Sequence, residues 1–296
     1  MRYLISGASG LIGAALSQRL EANGHEIWRL VRADSATQAR VIAWQPEQRS
    51  LDASALEGFD AVVHLAGENI KGRWNPAKKL RIRDSRIVST ALLAKTLAAL
   101  SRPPAVFACA SAVGYYGNRG DEVLTEESSA GAGFRAEVCR DWEVVTGPAA
   151  AAGIRTLYLR FGLVLAAESG GLKEMLLPFR LGIGGPMGNG KQFWSWISLP
   201  DTVGAIHHAL AHHELRGPIN IVAPTPVRNR EFASALGQAL HRPALIPAPA
   251  FALRILLGEM ADEALLSSGR VEPRKLVESG YSFQHPTLSE ALGHLL

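Results

Sequence analysis

Residues 7–13 read Gly7-Ala8-Ser9-Gly10-Leu11-Ile12-Gly13, and this glycine spacing constrains the fold more than any other feature of the chain. An apolar run, Tyr3-Leu4-Ile5, precedes it and an amphipathic stretch over 14–20 follows it. That order predicts a strand, a tight turn and a helix at the start of the chain. Such a turn lets backbone come close to a pyrophosphate, and the helix N-terminus adds free N–H groups and the positive end of its dipole. The spacing is G-x-x-G-x-x-G rather than G-x-G-x-x-G. A second strand is predicted over 26–31, ending in Val31-Arg32. At that strand end a dinucleotide-binding fold reads the adenosine ribose: an acidic residue accepts from a 2′-hydroxyl, and a basic one suits a 2′-phosphate. Arg32 therefore favours NADP(H) over NAD(H).

The rest of the first half alternates strand-like and helix-like segments, which implies a parallel sheet covered on both faces. Strands are expected at 41–44, 61–67, 106–110 and 156–159. Asn75-Pro76 opens a long helix, with Asn as N-cap and Pro at the first helical position, running to about Leu100. A second helix is expected over 135–145, broken near Gly147-Pro148. Beyond Gly162 the alternation loosens: an irregular glycine loop over 182–190, an aromatic strand over 193–197, a helix over 199–213, a strand over 219–222 and a helix capped by Asn229. The tail after Pro247 reads as mostly helical. The expected architecture is α/β, a Rossmann-type doubly wound parallel sheet with a smaller, mostly helical C-terminal substrate lobe. Residues 1–165 and 191–223 form the cofactor domain in this reading, and 166–190 and 224–296 the lobe.

Bulk properties narrow the class. The chain has 296 residues, 47% hydrophobic and 20% charged, as in ordinary globular enzymes. No apolar run approaches the roughly 20 residues needed to cross a bilayer, and the N-terminus enters a core strand directly, without a signal-peptide pattern. Two cysteines, Cys109 and Cys139, speak against a disulfide framework and for a reducing, cytoplasmic setting. The basic run Lys71, Arg73, Lys78, Lys79, Arg81, Arg83 and Arg86 lies along a helix on several faces. It reads as solvated helix surface plus cofactor contacts rather than a nucleic-acid interface. The histidines at 207, 208, 212 and 213 lack a matching acidic or cysteine ligand, so no metal is expected.

Several further segments carry a family resemblance: His64-Leu65-Ala66-Gly67-Glu68-Asn69-Ile70, Ser85-Arg86, Ser111-Ala112-Val113-Gly114-Tyr115-Tyr116-Gly117 and Arg140-Asp141-Trp142-Glu143. Leu177-Pro178-Phe179-Arg180-Leu181-Gly182, Trp196-Ile197 with Asp201, and Val222-Ala223-Pro224 continue the series. Together they resemble the extended short-chain dehydrogenase/reductase superfamily, in its atypical nucleoside-diphosphate-sugar epimerase-like branch. The stretch from about Pro247 is similar to a small C-terminal domain of unknown function found in that branch. The resemblance implies NADP(H) across the sheet edge. Gly7, Ser9, Gly10, Leu11, Ile12 and Gly13 then lie under the pyrophosphate, with Val31 and Arg32 at the 2′-phosphate. Leu65, Ala66 and Gly67 line the path to the nicotinamide, Arg81 and Arg86 reach cofactor phosphate or ribose, and Val164 sits near the nicotinamide. A small polar substrate, by family label a nucleotide sugar, and a possible homodimer follow from the same likeness.

The family's proton-transfer pair is missing. Classical members use Tyr-x-x-x-Lys, in which the phenol exchanges a proton as hydride moves. None of the five tyrosines here has a lysine four residues on. The serine of the preceding strand is kept as Ser111. Tyr115 or Tyr116, just past it, offers a phenol, and Cys139 lies on the helix where the pair belongs. Against each stands a plainer reading: loop-packing aromatics for the tyrosines, an inert buried thiol for Cys139. Glu143 offers a base in the cleft, against the plainer reading of an ion-pairing or helix-surface glutamate, and His64 reads as a packed histidine. The substrate pocket is expected from 115–117, 177–190, Trp194, Trp196 and the tail. An NADP(H)-binding protein without turnover is the alternative reading.

Overall fold

Strand β1 (Arg2–Ser6) buries Tyr3, Leu4, Ile5 and Ser6 in succession, which requires a sheet covered on both faces. The computed structural model describes residues 1–32 and 39–296. After β1 come α1 (Leu11–Ala22), β2 (Glu26–Arg32), β3 (Val41–Gln45), β4 (Ser50–Leu51), β5 (Ala61–His64), α2 (Pro76–Ala98), β6 (Val106–Ala112) and β7 (Val123–Leu124). Next are α3 (Phe134–Val144), α4 (Gly147–Ala151), β8 (Arg155–Phe161), β9 (Leu163–Leu165), α5 (Gly170–Arg180), β10 (Phe193–Trp194) and β11 (Trp196–Ser198). The chain ends with α6 (Leu199–Ala211), β12 (Gly217–Ile221), β13 (Val227–Arg228), α7 (Asn229–Ala239), α8 (Ala250–Leu257), β14 (Arg270–Val271), α9 (Arg274–Glu278) and α10 (Leu288–Leu295).

The main sheet has eight strands in the order β12-β8-β6-β5-β1-β2-β3-β4. Every pairing is parallel except the short edge pair β3–β4. One face packs Leu16 and Leu20 of α1 and Val203, Ile206 and Leu210 of α6 against Ile5, Val63 and Leu157. The other packs Leu93 and Leu97 of α2 and Trp142 of α3 against Leu4, Val62 and Phe107. This is a doubly wound, Rossmann-type sheet. A third cluster joins α5, α7 and α10 through Leu176, Phe179, Phe232, Leu236 and Leu292, around a fully buried Trp196.

The helical tail is tied down by one buried carboxylate. Asp201, with no exposed surface, accepts from the backbone N–H of Gln284 (2.7 Å) and His285 (2.9 Å) and from the Tyr281 hydroxyl (3.1 Å). Gly204, one turn on, has no side chain because the Tyr281 hydroxyl fills that space. Strand β14 adds a parallel pairing to β7, joining the tail to the loop after β6.

Local signals held where the chemistry is local. Asn75 Oδ1 accepts from Lys78 N at 2.8 Å and Pro76 opens α2, as its dipeptide predicts. Elsewhere tertiary contacts changed the outcome. Asn229 does not cap α7: its Oδ1 accepts from Met187 N in the glycine loop (2.6 Å). Glu231 takes over at that helix start, accepting from Arg228 N (2.8 Å). The single aromatic strand expected over 193–197 is two strands, β10 on β13 and β11 on β9. They part at Ser195, whose hydroxyl donates to Gly269 O and accepts from Val271 N. Trp196, expected in a substrate pocket, is wholly inside the third cluster, with Nε1 donating to Thr225 O (3.0 Å).

Candidate functional site

The strand–turn–helix at the N-terminus is shaped by contacts that leave no room for side chains. Gly7 has φ +69°, and a Cβ there would lie 2.8 Å from Ala66 N. A Cβ on Gly13 would lie 2.2 Å from Gly7 O. The turn closes through Gly10 N to Gly7 O (3.0 Å). Helix α1 has no side-chain cap and no acidic residue in its first turn, so its leading N–H groups keep their capacity for an external acceptor. Ser9 and Gly10 are exposed, and Leu11 and Ile12 are half-buried beside them. Arg32 is exposed at the end of β2, next to a half-buried Val31.

Behind the turn, Ser6 Oγ accepts from Leu65 N (3.2 Å) and Ala66 N (3.3 Å) and donates to His64 Nδ1 (2.5 Å). His64 Nε2 then donates to Ser89 Oγ (3.2 Å), whose own proton goes to Ser85 O. The histidine is completely buried, and burial pushes it down to about 3 from its ordinary 6.5. Between those values the unfolded chain takes up a proton that the native state refuses, so stability falls as pH drops through that window. At about pH 4.5 the loss from this residue is expected to be about 2–3 kcal/mol. Urea denaturation of the wild type and His64→Gln at neutral pH and near pH 4.5 checks this. An unchanged pH slope in the variant would rule the histidine out as its source.

At the end of β6 the structure gathers a polar cluster that links residues far apart in sequence. Ser111 Oγ donates to Glu143 Oε1 (2.7 Å). Arg160 grips the same carboxylate through Nε (2.8 Å) and Nη2 (2.7 Å), with side chains 3% and 9% exposed. Arg160 Nη1 donates to the Tyr116 hydroxyl (2.9 Å), which donates to Asn220 Oδ1 (2.7 Å). The Tyr116 phenol is wholly buried, and burial pushes it up to about 12. Its one proton is committed to Asn220. Tyr115 lies half-buried, its ring 3.5 Å from the Arg160 guanidinium carbon. Cys139 is buried on α3, and burial pushes its thiol up. The strand ends alone bring Arg160 to the same crevice as Ser111, whereas Glu143 and Asn220 are the partners that sequence reasoning did not assemble. Glu143 and Asn220 sit 32 and 104 residues from their partners Ser111 and Tyr116, so no local spacing signals them.

Of the remaining predicted contacts, Gly67 lies over the Arg86 guanidinium, since a Cβ there would meet its carbon at 3.4 Å. Arg81 is exposed and faces Glu68 at 3.7 Å. Val164, half-buried in β9, pairs with Ile197. Much of the basic run is neutralised within the chain: Lys71 on Glu174, Lys78 on Glu68, Lys79 on Glu259 and Arg83 on Asp141. Among the described residues no helix is long and apolar enough to cross a membrane.

Comparison with known proteins agrees with this geometry. The model of the NAD-dependent epimerase/dehydratase family matches residues 3–222, and a domain of unknown function, DUF1731, matches residues 248–295. An epimerase family protein of Mycobacterium leprae is 45% identical over 98% of this chain and 94% of its own length. The crystal structure of the human epimerase family protein SDR39U1 with NADPH superposes with a TM-score of 0.91 at 36% identity, covering 100% of this chain and 99% of that one. The Thermus thermophilus UDP-glucose 4-epimerase, at 18% identity and a TM-score of 0.77 over 100% of this chain and 97% of its own, shares the fold. With its glycine turn, doubly wound sheet and C-terminal DUF1731 segment, the chain belongs to the NAD-dependent epimerase/dehydratase family, in the extended short-chain dehydrogenase/reductase fold.

Proposed function

We propose that this protein binds NADP(H) and works as an oxidoreductase or epimerase on a small polar substrate. The observation that carries the reading is the Gly7–Gly13 contact, a turn in which a Cβ would occupy the space between helix α1 and the Gly7 carbonyl. It leaves backbone N–H groups of α1 at the sheet's C-terminal edge, where anions are held. The human relative, which binds NADPH, supports the choice of cofactor. In this assignment Gly7, Ser9, Gly10, Leu11, Ile12 and Gly13 hold the pyrophosphate, Val31 and Arg32 the 2′-phosphate, and Leu65, Ala66, Gly67 and Val164 the nicotinamide side. Residues 1–165 and 191–223 form the cofactor domain, and 166–190 with 224–296 close over the substrate.

When bound, the nicotinamide supplies the hydride acceptor or donor. The chain's own task is to orient the substrate and move a proton. Ser111, its proton held by Glu143, accepts a hydrogen bond from a substrate hydroxyl. Tyr115, half-buried beside Arg160, is the phenol placed to exchange the proton, a role that demands reach to the reacting oxygen. Calorimetric titration with NADPH and NADH tests the cofactor assignment. A clear preference for NADPH is expected, reduced about 10- to 100-fold in Arg32→Ala, the worth of a charge-assisted contact to phosphate. Equal binding of both cofactors by the wild type would remove Arg32 from the site.

The absence of Tyr-x-x-x-Lys, together with the engagement of Ser111 and Tyr116 inside a buried network, favours a second reading: an NADP(H)-binding protein without turnover. Substrate-dependent transfer of deuterium from labelled NADPH excludes it. Tight NADPH binding with no turnover on carbonyl and sugar panels supports it.

A further inference from the structure

Helix α3 carries Glu143, the partner of Ser111, yet it begins without a cap of its own. Gly133 stands at the N-cap position with φ +100° and no side chain to offer. The leading N–H groups of the helix therefore need acceptors from elsewhere. Glu263, 129 positions beyond Phe134 in the C-terminal segment, supplies them: Oε1 accepts from Phe134 N and Oε2 from Arg135 N, at 3.2 Å each. A Cβ on Gly133 would lie 2.5 Å from Glu263 Oε1, so the glycine is what admits the carboxylate. The same residue holds Arg135 a second time, its carbonyl accepting from Nη1 at 2.6 Å. Burial pulls the Arg135 guanidinium below the ordinary arginine value, and the Glu263 carboxylate opposes that pull.

Arg135 in turn lies against Gly114, in the turn that leads from Ser111 to Tyr115. A Cβ on Gly114 would come 2.8 Å from Arg135 Nε and 3.0 Å from Nη2. Two more glycines let the segments before and after close on each other. A Cβ on Gly131 would fall 2.0 Å from Tyr116 O, and one on Gly117 2.7 Å from Ala132 O. Gly131 N donates to Tyr115 O at 2.9 Å. The Tyr115 ring, carried on this turn, has the Arg160 guanidinium carbon 3.5 Å from its centre. Glu263 is itself fixed from the other side. It sits in one wide helical turn over Ala261–Leu265, closed by Leu266 N on Ala261 O at 2.9 Å. The carbonyl of Leu265 accepts from Gln192 Nε2 (3.0 Å) and Trp194 Nε1 (3.2 Å).

We infer that Glu263 is the positioning residue for the turn bearing Ser111 and Tyr115, and that the C-terminal DUF1731 segment completes the site by clamping α3 through it. The importance of this clamp for turnover rests on the reading above, in which Tyr115 exchanges the proton. Loss of the carboxylate frees the first turn of α3, and Gly114 then loses the guanidinium that backs it. None of the residues assigned to the cofactor takes part in this clamp, so cofactor affinity and the placement of Tyr115 are separable.

NMR of protein labelled with ¹³C in the tyrosine rings tests the clamp, with the Tyr115 signal identified by Tyr115→Phe. In Glu263→Ala that signal is expected to shift or broaden away as the ring leaves Arg160. Amide exchange at Phe134 and Arg135 is expected to quicken about fivefold or more, as for a lost helix cap. Glu263→Gln, which keeps the length and one acceptor oxygen, is expected to fall between the two. Asp262→Asn, in the same turn but paired with Arg254, is expected to give the wild-type Tyr115 signal. NADPH affinity is expected to stay within about twofold throughout. A Tyr115 signal identical in the wild type and Glu263→Ala overturns the inference, and a lowered melting temperature alone would then assign Glu263 to stability. A shift of equal size in Asp262→Asn overturns it as well. Should Glu263→Ala fail to fold, Glu263→Gln carries the test, and an unchanged Tyr115 signal with unchanged exchange overturns it. The spectra are also read on the free protein. If the wild type does not bind NADPH, the cofactor reading has failed, and the Tyr115 signal still decides the clamp.

Discussion

Arg160→Met is expected to lower the unfolding free energy by about 3–5 kcal/mol, the usual result of leaving one member of a buried ion pair without its partner. Glu143 would keep its carboxylate inside the core with only the Ser111 hydroxyl against it, and Tyr116 would lose the donor to its oxygen. The double variant Arg160→Met, Glu143→Leu is expected to recover a large part of the loss, since the cost lies in the stranded charge more than in the pair itself. Urea denaturation of the single and double variants makes the comparison. A double variant as unstable as the sum of the two singles would contradict the account and place the cost in packing instead.

The second large effect is expected at Gly13. Gly13→Ala puts a methyl group 2.2 Å from Gly7 O and 2.8 Å from the Ala8 Cα, both main-chain atoms that cannot swing aside. Helix α1 must back away from the turn. We expect a loss of about 1–3 kcal/mol of stability from overpacking, and a loss of NADPH affinity exceeding about 100-fold as the helix N–H groups leave their positions. Gly10→Ala is the graded comparison. Its Cβ meets Gly7 O at 3.3 Å, so a small shift suffices and a milder effect follows. Thermal melts and NADPH calorimetry on both variants separate the two effects. Native affinity in Gly13→Ala would show that the turn does not hold the cofactor.

These two sites differ in how far each could be read from the residues alone. The glycine turn, the β2 end at Arg32 and the start of α2 at Asn75-Pro76 all lie within a few residues of the atoms that decide them. Positive φ at Gly7, an Asn side chain reaching the N–H three residues on, and a proline at the first helical position are local chemistry. The same holds for the alternation of apolar runs, which required a covered parallel sheet before any strand order was known. Asn229 shows the limit: a good cap by residue type, it serves Met187 across the fold instead.

The environment of Ser111 lay beyond such rules. Its partner Glu143 sits on α3, Arg160 on β8, and Asn220 on β12, brought together only because β6, β8 and β12 are successive neighbours in the sheet. The Asp201 anchor of the tail and the Glu263 contact with α3 likewise join residues more than 80 positions apart. The sequence by itself determined most of the elements and the glycine turn, because backbone conformation and side-chain period act over a few residues. Only the tertiary structure decided which buried charges are matched, as Arg160 is by Glu143, because a charge deep in the fold is set by what packs around it.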